Sequence, residues 1–583
     1  MQTQVKRRAN FPIGALAQTQ LPELLQRVYA NRGVTEPAHL EMSIQHIHPP
    51  ELLKGMDEAV ALIFDAIKQD KSMVVVGDYD ADGATSTALA MRGLSSLGAQ
   101  NLSYLVPNRF EFGYGLTPEI VALCEKRGSK LIITVDNGIS SLSGAQCARD
   151  LNIDVLVTDH HLPGEKIPNA NAIVNPNQPG DDFPSKALAG VGVMFYVLIA
   201  LRTLMREQGW FKQQNIHEPN FAELLDLVAL GTVADVVPLD RNNRIFVEQG
   251  LRRIRAGKCC AGILALLQVA KCDYWRAVSS DLAFYIGPRV NAAGRLEDMS
   301  VGIECLLAEN QNTANELAVK LHRLNSQRRD IETQMREQAL KSLESINHDA
   351  SIELQQNNLG ICVYQPGWHQ GVVGVLAARI KEKFYRPTIA FAKADDAGEL
   401  KGSARSIPGV HIRDVLDTVA ARNPDMISKF GGHAMAAGLS LSQDNYTSFV
   451  DAFNDVLSDW VSAEDLQAEI LSDGELTDEH LSLNTAQLLR SSGPWGQAFP
   501  MPVFDGEFKV IDYRIVGEHH LKMTLQVING QNTIDAIAFN YQNYDWNNRA
   551  DIIHAAYELD VNCFRGIESA QMMIRHLTVI ATH

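Results

Sequence analysis

Val76-Gly77-Asp78-Tyr79-Asp80-Ala81-Asp82-Gly83 decides the fold of this chain. It follows Met73-Val74-Val75-Val76, a run of apolar β-formers, and precedes Ala84-Thr85-Ser86-Thr87-Ala88-Leu89-Ala90, a small-residue stretch that reads as a helix. Three carboxylates therefore leave the C-terminal end of a buried strand, the edge where open α/β sheets hold their ligands. Like charges gathered away from water are costly without a compensating cation. A divalent metal is the simplest compensation. The turn is no P-loop, because the required Gly-Lys-Ser/Thr is absent.

Outward from that turn, apolar runs at 102–106, 131–135 and 153–157 alternate with helical patterns. This rhythm predicts a parallel sheet wrapped by helices. Residues 1–50 read as a helical lead-in, with Leu21, Leu24, Leu25 and Val28 at helical spacing. Residues 241–305 read as mostly helical, interrupted by a loop at Ile286-Gly287-Pro288-Arg289-Val290-Asn291. A charged stretch from about 311 to 346 holds no Gly or Pro and predicts a linker helix. A second α/β unit follows from about 350, with strands at 360–364, 387–392 and 400–406 and a helix from 372 to 384. The last block reads as short β-strands at 504–516, 521–528, 533–539 and 557–564, the pattern of a small barrel.

Composition bounds the function. The chain has 583 residues, enough for several domains, and its 46% apolar content is that of a globular protein. A net charge of −17 argues against a general electrostatic coat for nucleic acid, while leaving room for a local basic channel. Eight cysteines without a CxxC pair form neither a zinc knuckle nor a disulfide framework. No apolar run approaches the ~20 residues a membrane span needs, and the basic N-terminus lacks the apolar core of a signal peptide. The expected location is the cytoplasm, with no membrane contact.

Four sites are read as strand ends bearing chemistry: Asp78/Asp80/Asp82, Asp136 in Thr134-Val135-Asp136-Asn137-Gly138, Asp159-His160-His161 after Val157-Thr158, and Asp235 in Leu230-Gly231-Thr232-Val233-Ala234-Asp235. Any one Asp here could be an ordinary helix N-cap or turn former, and the histidines a packed pair. The conjunction is what argues for a two-metal site, in which ions ~3.5–4 Å apart activate water and stabilise charge in phosphoryl transfer. Mixed Asp/His ligation suits manganese, whereas magnesium prefers oxygen ligands.

Asp159-His160-His161 resembles the signature of the DHH phosphoesterase superfamily, and Asp80-Ala81-Asp82-Gly83, Asp136-Asn137-Gly138 and Gly231-Thr232-Val233-Ala234-Asp235 resemble its accompanying motifs in order. Gly431-Gly432-His433-Ala434-Met435-Ala436-Ala437-Gly438 is similar to the glycine-rich motif of the DHHA1 domain. Gly287-Pro288-Arg289-Val290-Asn291-Ala292-Ala293-Gly294-Arg295 and the added β block look most like the bacterial branch that digests single-stranded DNA from its 5′ end. The resemblance implies an α/β protein: a parallel-sheet DHH catalytic domain over 51–310, a linker helix over 311–349, a smaller α/β DHHA1 domain over 350–465, and an OB-like barrel over 466–583.

It further implies two divalent cations, Mn2+ or Mg2+, on Asp80, Asp82, Asp136, His160 and Asp235. His161 is implied to contact the scissile phosphate, with Asp159 and Asp78 as further catalytic or orienting groups. Arg109, Arg289, Ser403, Arg405, Gly432 and His433 are the implied substrate contacts. For Arg109 and Arg289 an ordinary salt bridge is the competing reading, and for the glycine motif a tight turn with close helix packing. The expected activity is a single-stranded-DNA-specific 5′→3′ exonuclease of recombination and repair, releasing 5′-mononucleotides. The expected partners are single-stranded DNA, a single-strand-binding protein and a helicase, around a monomer. The alternatives are a short-oligonucleotide or cyclic-dinucleotide phosphodiesterase, whose members are shorter, and a non-catalytic DHH scaffold, which would have lost ligands.

Overall fold

The apolar runs at 73, 102, 131 and 154 form neighbouring strands of one parallel sheet, ordered Leu102–Leu105, Met73–Gly77, Leu131–Val135, Asp154–Thr158 and Ala172–Val174. The central strands are buried on both faces, which is why they read as continuous rather than alternating apolar runs. The fifth strand is three residues long and carries no periodic signal. The structure, a computed structural model, describes residues 3–9, 11–107, 115–346, 359–394, 398–462, 464–517, 519–528, 530–541, 544, 546 and 550–582.

Contacts divide the chain into two units. The first joins residues 7–325 with 472–583. It holds the parallel sheet and a closed five-stranded barrel built from Phe504–Val516, His520–Val527, Thr533–Ala538, Ala550–Phe564 and Ile567–Thr582. One apolar core runs from the sheet's helices into the barrel, through Leu89, Val193, Leu230, Phe504 and Leu577. Tyr29, Trp495 and Phe499 stack along that junction at centroid distances of 5.3–6.4 Å. The buried Arg32 donates to both oxygens of Asp473 at 3.0 and 2.9 Å.

Three sequence expectations are corrected here. Asp235 does not end a strand; it caps the C-terminus of helix Leu225–Ala234. Every residue of that helix except Ala234 is buried, so no polar face marks a helical period, and an all-apolar run is indistinguishable from a strand by pattern. The stretch Ile286–Asn291 is no loop: Gly287–Leu296 is a helix with Pro288 near its start, continuing from a π-helical turn Leu282–Ile286, the kind of irregular turn that goes with a proline in a helical run. The N-terminal lead-in opens with a strand, Gln4–Arg7, paired to Glu469–Ser472, before helix Glu23–Ala30.

Helix Gln311–Ile346 is continuous over 36 residues and passes from the first unit into the second. The second unit, residues 1–6 and 326–471, contains a sheet ordered Lys429–Gly432, Ala436–Ser442, Glu399–Arg405, Thr388–Lys393 and Ile361–Tyr364. Only its last pair is parallel. Helices Val373–Phe384, Ile412–Arg422 and Tyr446–Trp460 bury apolar faces within this unit. No described helix is long and apolar enough to cross a membrane.

Candidate metal centre

Each acidic side chain at the sheet edge is fixed by a local device. Asp80 is the N-cap of helix Ala81–Ser96, its Oδ1 accepting from the Asp82 and Gly83 amides at 2.9 and 3.0 Å. The N-cap reading of such an Asp is therefore correct for one of its oxygens. A Cβ on Gly83 would lie 2.4 Å from the Asp78 carbonyl, so the turn closes only around glycine. Asp82, 1% exposed, accepts from the Gly190 and Val191 amides at 2.6 and 3.0 Å. Those amides open helix Gly190–Glu207, and the positive end of a helix favours an anion.

Asp136 follows its strand with φ 61°, a left-handed conformation that Asp and Asn tolerate better than most residues. Asn137 beside it donates to the Val76 and Val135 carbonyls at 3.0 and 2.9 Å, tying two adjacent strand ends together. Asp159 accepts from the amides of Ile139 at 2.9 Å, His160 at 2.7 Å and His161 at 3.1 Å, and pairs with His161 Nδ1 at 2.7 Å. Asn177 and Asn175 donate to the His160 and His161 carbonyls at 2.6 and 3.0 Å, holding the histidine pair from behind.

These devices bring the candidates together. His160 Nε2 lies 3.1 Å from Asp136 Oδ1, 3.4 Å from Asp235 Oδ2 and 4.0 Å from Asp82 Oδ2. Three groups each place one donor atom per residue within 4.8 Å of the others: Asp136/His160/His161, Asp82/His160/Asp235 and Asp78/Asp80/Asp136. Asp136 and His160 each belong to two groups. Asp159 belongs to none of them; its contacts are with the backbone and His161.

The electrostatics are those of a site built around cations. Burial, then the charge of Asp80, pushes the Asp82 carboxyl up to about 7. Burial and the neighbouring carboxylates hold Asp136 and Asp235 well above the ordinary range. Such a cluster cannot be fully ionised on its own; hard oxygens with one or two imidazoles suit Mn2+, and the carboxylate oxygens also suit Mg2+. Asp159 behaves oppositely: burial would raise it, but the His161 hydrogen bond and charge outweigh that and hold it at about 2. Burial would lower His161, and the Asp159 bond and charge raise it to about 9 instead.

The expected substrate contacts are placed as follows. Arg109 lies outside the described residues. Arg289 is buried, its Nη1 donating to the Tyr285 carbonyl at 2.5 Å and its Nε to His322 Nδ1 at 3.2 Å. Ser403, Arg405, Gly432 and His433 belong to the second unit: the first two lie on strand Glu399–Arg405, Gly432 ends strand Lys429–Gly432 two strands away, and His433 follows it. Arg405 pairs across with Ala436, and Ser403 with Gly438. The hairpin turns at Gly432, φ 144°, where a Cβ would meet the Ala436 carbonyl at 2.4 Å, and the His433 amide donates to that same carbonyl. Arg405 Nη1 donates to the Ala404 carbonyl at 2.8 Å, and burial presses its guanidinium pKa down.

Sequence reasoning misses several residues that shape the site: the Gly190 and Val191 amides, Asn137, Asn175, Asn177 and Asn291. Asn137 and Asn291 do lie in stretches that resemble family motifs, and for Gly190 and Val191 the signal is the run Ala189-Gly190-Val191-Gly192, small residues that open an apolar helix whose amides can cradle an anion.

Comparison with known proteins agrees with this layout. The model of the DHH family, N-terminal domain, matches residues 72–232, that of the DHHA1 domain 357–459, and that of the RecJ OB domain 472–576. A protein of Salmonella typhimurium named single-stranded-DNA-specific exonuclease RecJ is 53% identical over 555 residues, 95% of each chain. The crystal structure of RecJ from Thermus thermophilus in complex with Mn2+ is 27% identical, with a TM-score of 0.79 over 98% of this chain and 79% of that one. The same protein with Mg2+ is 26% identical at a TM-score of 0.74, over 98% and 78% of the two chains. With three domain models in register and more than half the residues shared with a RecJ along nearly its whole length, the chain belongs to the RecJ family.

Proposed function

We propose that this chain is a two-metal exonuclease specific for single-stranded DNA, hydrolysing phosphodiester bonds from the 5′ end to release 5′-mononucleotides, in DNA recombination and repair. The observation that carries the chemistry is the convergence of Asp78, Asp80, Asp82, Asp136, His160 and Asp235 in overlapping groups of possible ligands, a donor set that would suit two divalent ions. The names of the RecJ relatives support the choice of single-stranded DNA.

Asp80, Asp82, Asp136, His160 and Asp235 would hold the ions, with Asp78 alongside Asp80 and Asp136. When bound, the two cations supply Lewis-acid stabilisation of charge on the phosphoryl oxygens and acidify water. The chain's own residues do the rest. Asp159 fixes the His161 ring through Nδ1, and a His161 held protonated by that bond presents its other N–H to a phosphate oxygen. Ser403, Arg405, Gly432 and His433 offer hydroxyl, guanidinium, backbone and imidazole donors to the strand's phosphates. We further propose a monomer in the cytoplasm, working beside a single-strand-binding protein and a helicase. Sedimentation, expected to give a species of 64.3 kDa, checks the first of these.

Single-stranded DNA labelled at either end, offered with Mn2+ or Mg2+, tests the reaction. Mononucleotides released from the 5′ end alone are expected. Release from the 3′ end would overturn the polarity, and no release with either metal would overturn catalysis altogether. Asp82→Ala should abolish cleavage while binding of the strand persists.

A further inference from the structure

We infer that Asn291 is a positioning residue for the metal centre, setting from outside the backbone of the turn that carries Asp78, Asp80 and Asp82. The inference rests on the two-metal reading above.

A helix leaves its first four N–H groups without intrahelical acceptors. In helix Ala81–Ser96 the Asp80 side chain takes the amides of Asp82 and Gly83. The Ala81 amide goes elsewhere: Asn291 Oδ1, 210 residues along the chain, accepts it at 2.8 Å. The turn is thus clamped from inside by Asp80 and from outside by Asn291. Because Ala81 sits between Asp80 and Asp82, any displacement at its nitrogen moves both carboxylates.

Asn291 can act as a fixed reference because its helix, Gly287–Leu296, touches the turn and is anchored away from it. Gly294, three residues on and so on the same helical face, approaches so closely that a Cβ there would lie 1.9 Å from the Tyr79 carbonyl oxygen. Arg289 ties the helix to His322 on helix Gln311–Ile346 at 3.2 Å.

The test compares wild type with N291A, with N291S, whose hydroxyl falls short of Ala81, and with N291D, which keeps the acceptor. Amide hydrogen exchange at Ala81 in metal-free protein is expected to quicken by about tenfold or more in N291A and N291S, and to return toward wild type in N291D. Mn2+ affinity, read from the spin-resonance signal of the free ion, should weaken by about 10–100-fold in the first two variants. At saturating Mn2+ their kcat should recover to within a few-fold while the Mn2+ requirement stays raised. Unchanged Ala81 exchange in both N291A and N291S overturns the inference, as does weakened affinity that N291D restores no better than N291A. Should the wild type itself take up no Mn2+, the two-metal reading falls, and Ala81 exchange still judges Asn291.

Discussion

His160 Nε2 and Asp136 Oδ1 stand 3.1 Å apart at the edge of the parallel sheet, and each of these residues is shared between two ligand groups. The pair is therefore central to the site: each of the three groups contains one or both of its members. The cost of assembling it falls on the metal-free protein, where Asp136 is crowded by Asp82, Asp80, Asp235 and Asp78.

Asp136→Asn should separate stability from function. Asn tolerates the left-handed backbone at this position and removes one of the crowded charges. In chelator the variant is expected to melt about 2–4 °C above wild type, the shift of roughly 1 kcal/mol in a large domain. With Mn2+ it should gain far less than wild type, and its nuclease activity should fall by about a thousandfold or more. Calorimetry with and without Mn2+, beside an activity assay, checks this; a variant that melts lower in chelator would contradict the crowding argument.

The pH dependence of the metal-free protein follows from the same crowding. Asp82 keeps its proton up to about pH 7 in the fold, whereas an unfolded Asp loses it near ~3.9. Between those values the folded state binds more protons, so stability falls as pH rises from about 4 to about 7. His161, raised to about 9, contributes stability that is whole below about 6.5 and is lost as pH climbs through 9. Asp159, held at about 2, loses its contribution only in stronger acid. The protein in chelator should thus melt lower at about pH 8 than at about pH 5.5. Ions binding the deprotonated carboxylates reverse the trend, so the Mn2+-induced rise should be larger at about pH 8. Equal or higher stability at the alkaline end in chelator refutes the argument.

Much of this site is legible in the sequence because buried parallel strands announce themselves. Met73–Gly77, Leu131–Val135 and Asp154–Thr158 are apolar runs ending in Asp, and the structure sets them side by side. Asp235 stands out in the sequence as a carboxylate among apolar residues, yet the pattern puts it on the wrong element, since helix Leu225–Ala234 has no polar face to betray its period. Gly287-Pro288 reads as a loop because those residues punctuate either a loop or a helix start; in the structure Gly287 packs against Ala234 and the chain continues as a helix. The last barrel strand, Ile567–Thr582, escapes the reading because its exposed positions break the apolar pattern. The bonds from Gly190, Val191 and Asn291 are out of reach for a different reason: they join segments 108 to 210 residues apart, and no local pattern encodes such a contact.

Asp159→Asn tests the division of labour between the two histidines. The amide keeps the size of the carboxylate and an oxygen for the surrounding amides, but gives up the charge that raises His161. The His161 imidazole, followed by NMR in metal-free protein, should titrate well below its wild-type value of about 9, toward the ordinary ~6.5. Cleavage should slow by about 10–100-fold, the usual effect of losing a supporting partner of a site histidine. A variant with wild-type turnover would remove Asp159 and the protonated His161 from the proposed mechanism.

Gly231→Ala asks how much slack the Asp82 carboxylate has. A Cβ at Gly231 would stand 2.3 Å from Thr85 Oγ1 and 2.8 Å from Asp82 Oδ1, both inside contact distance. Thr85 can rotate only by giving up its bonds to the Ala81 and Asp82 carbonyls, and Asp82 only by leaving the Gly190 and Val191 amides. Overpacking of this kind costs about 1–3 kcal/mol, so the variant should melt lower than wild type while still folding. Its sharper consequence is at the metal centre: Asp82 is held by two amides of a helix N-terminus, and moving it should weaken Mn2+ binding and turnover together. If calorimetry shows the stability loss while Mn2+ affinity and cleavage stay at wild-type values, then the helix-held position of Asp82 is not what the ions require.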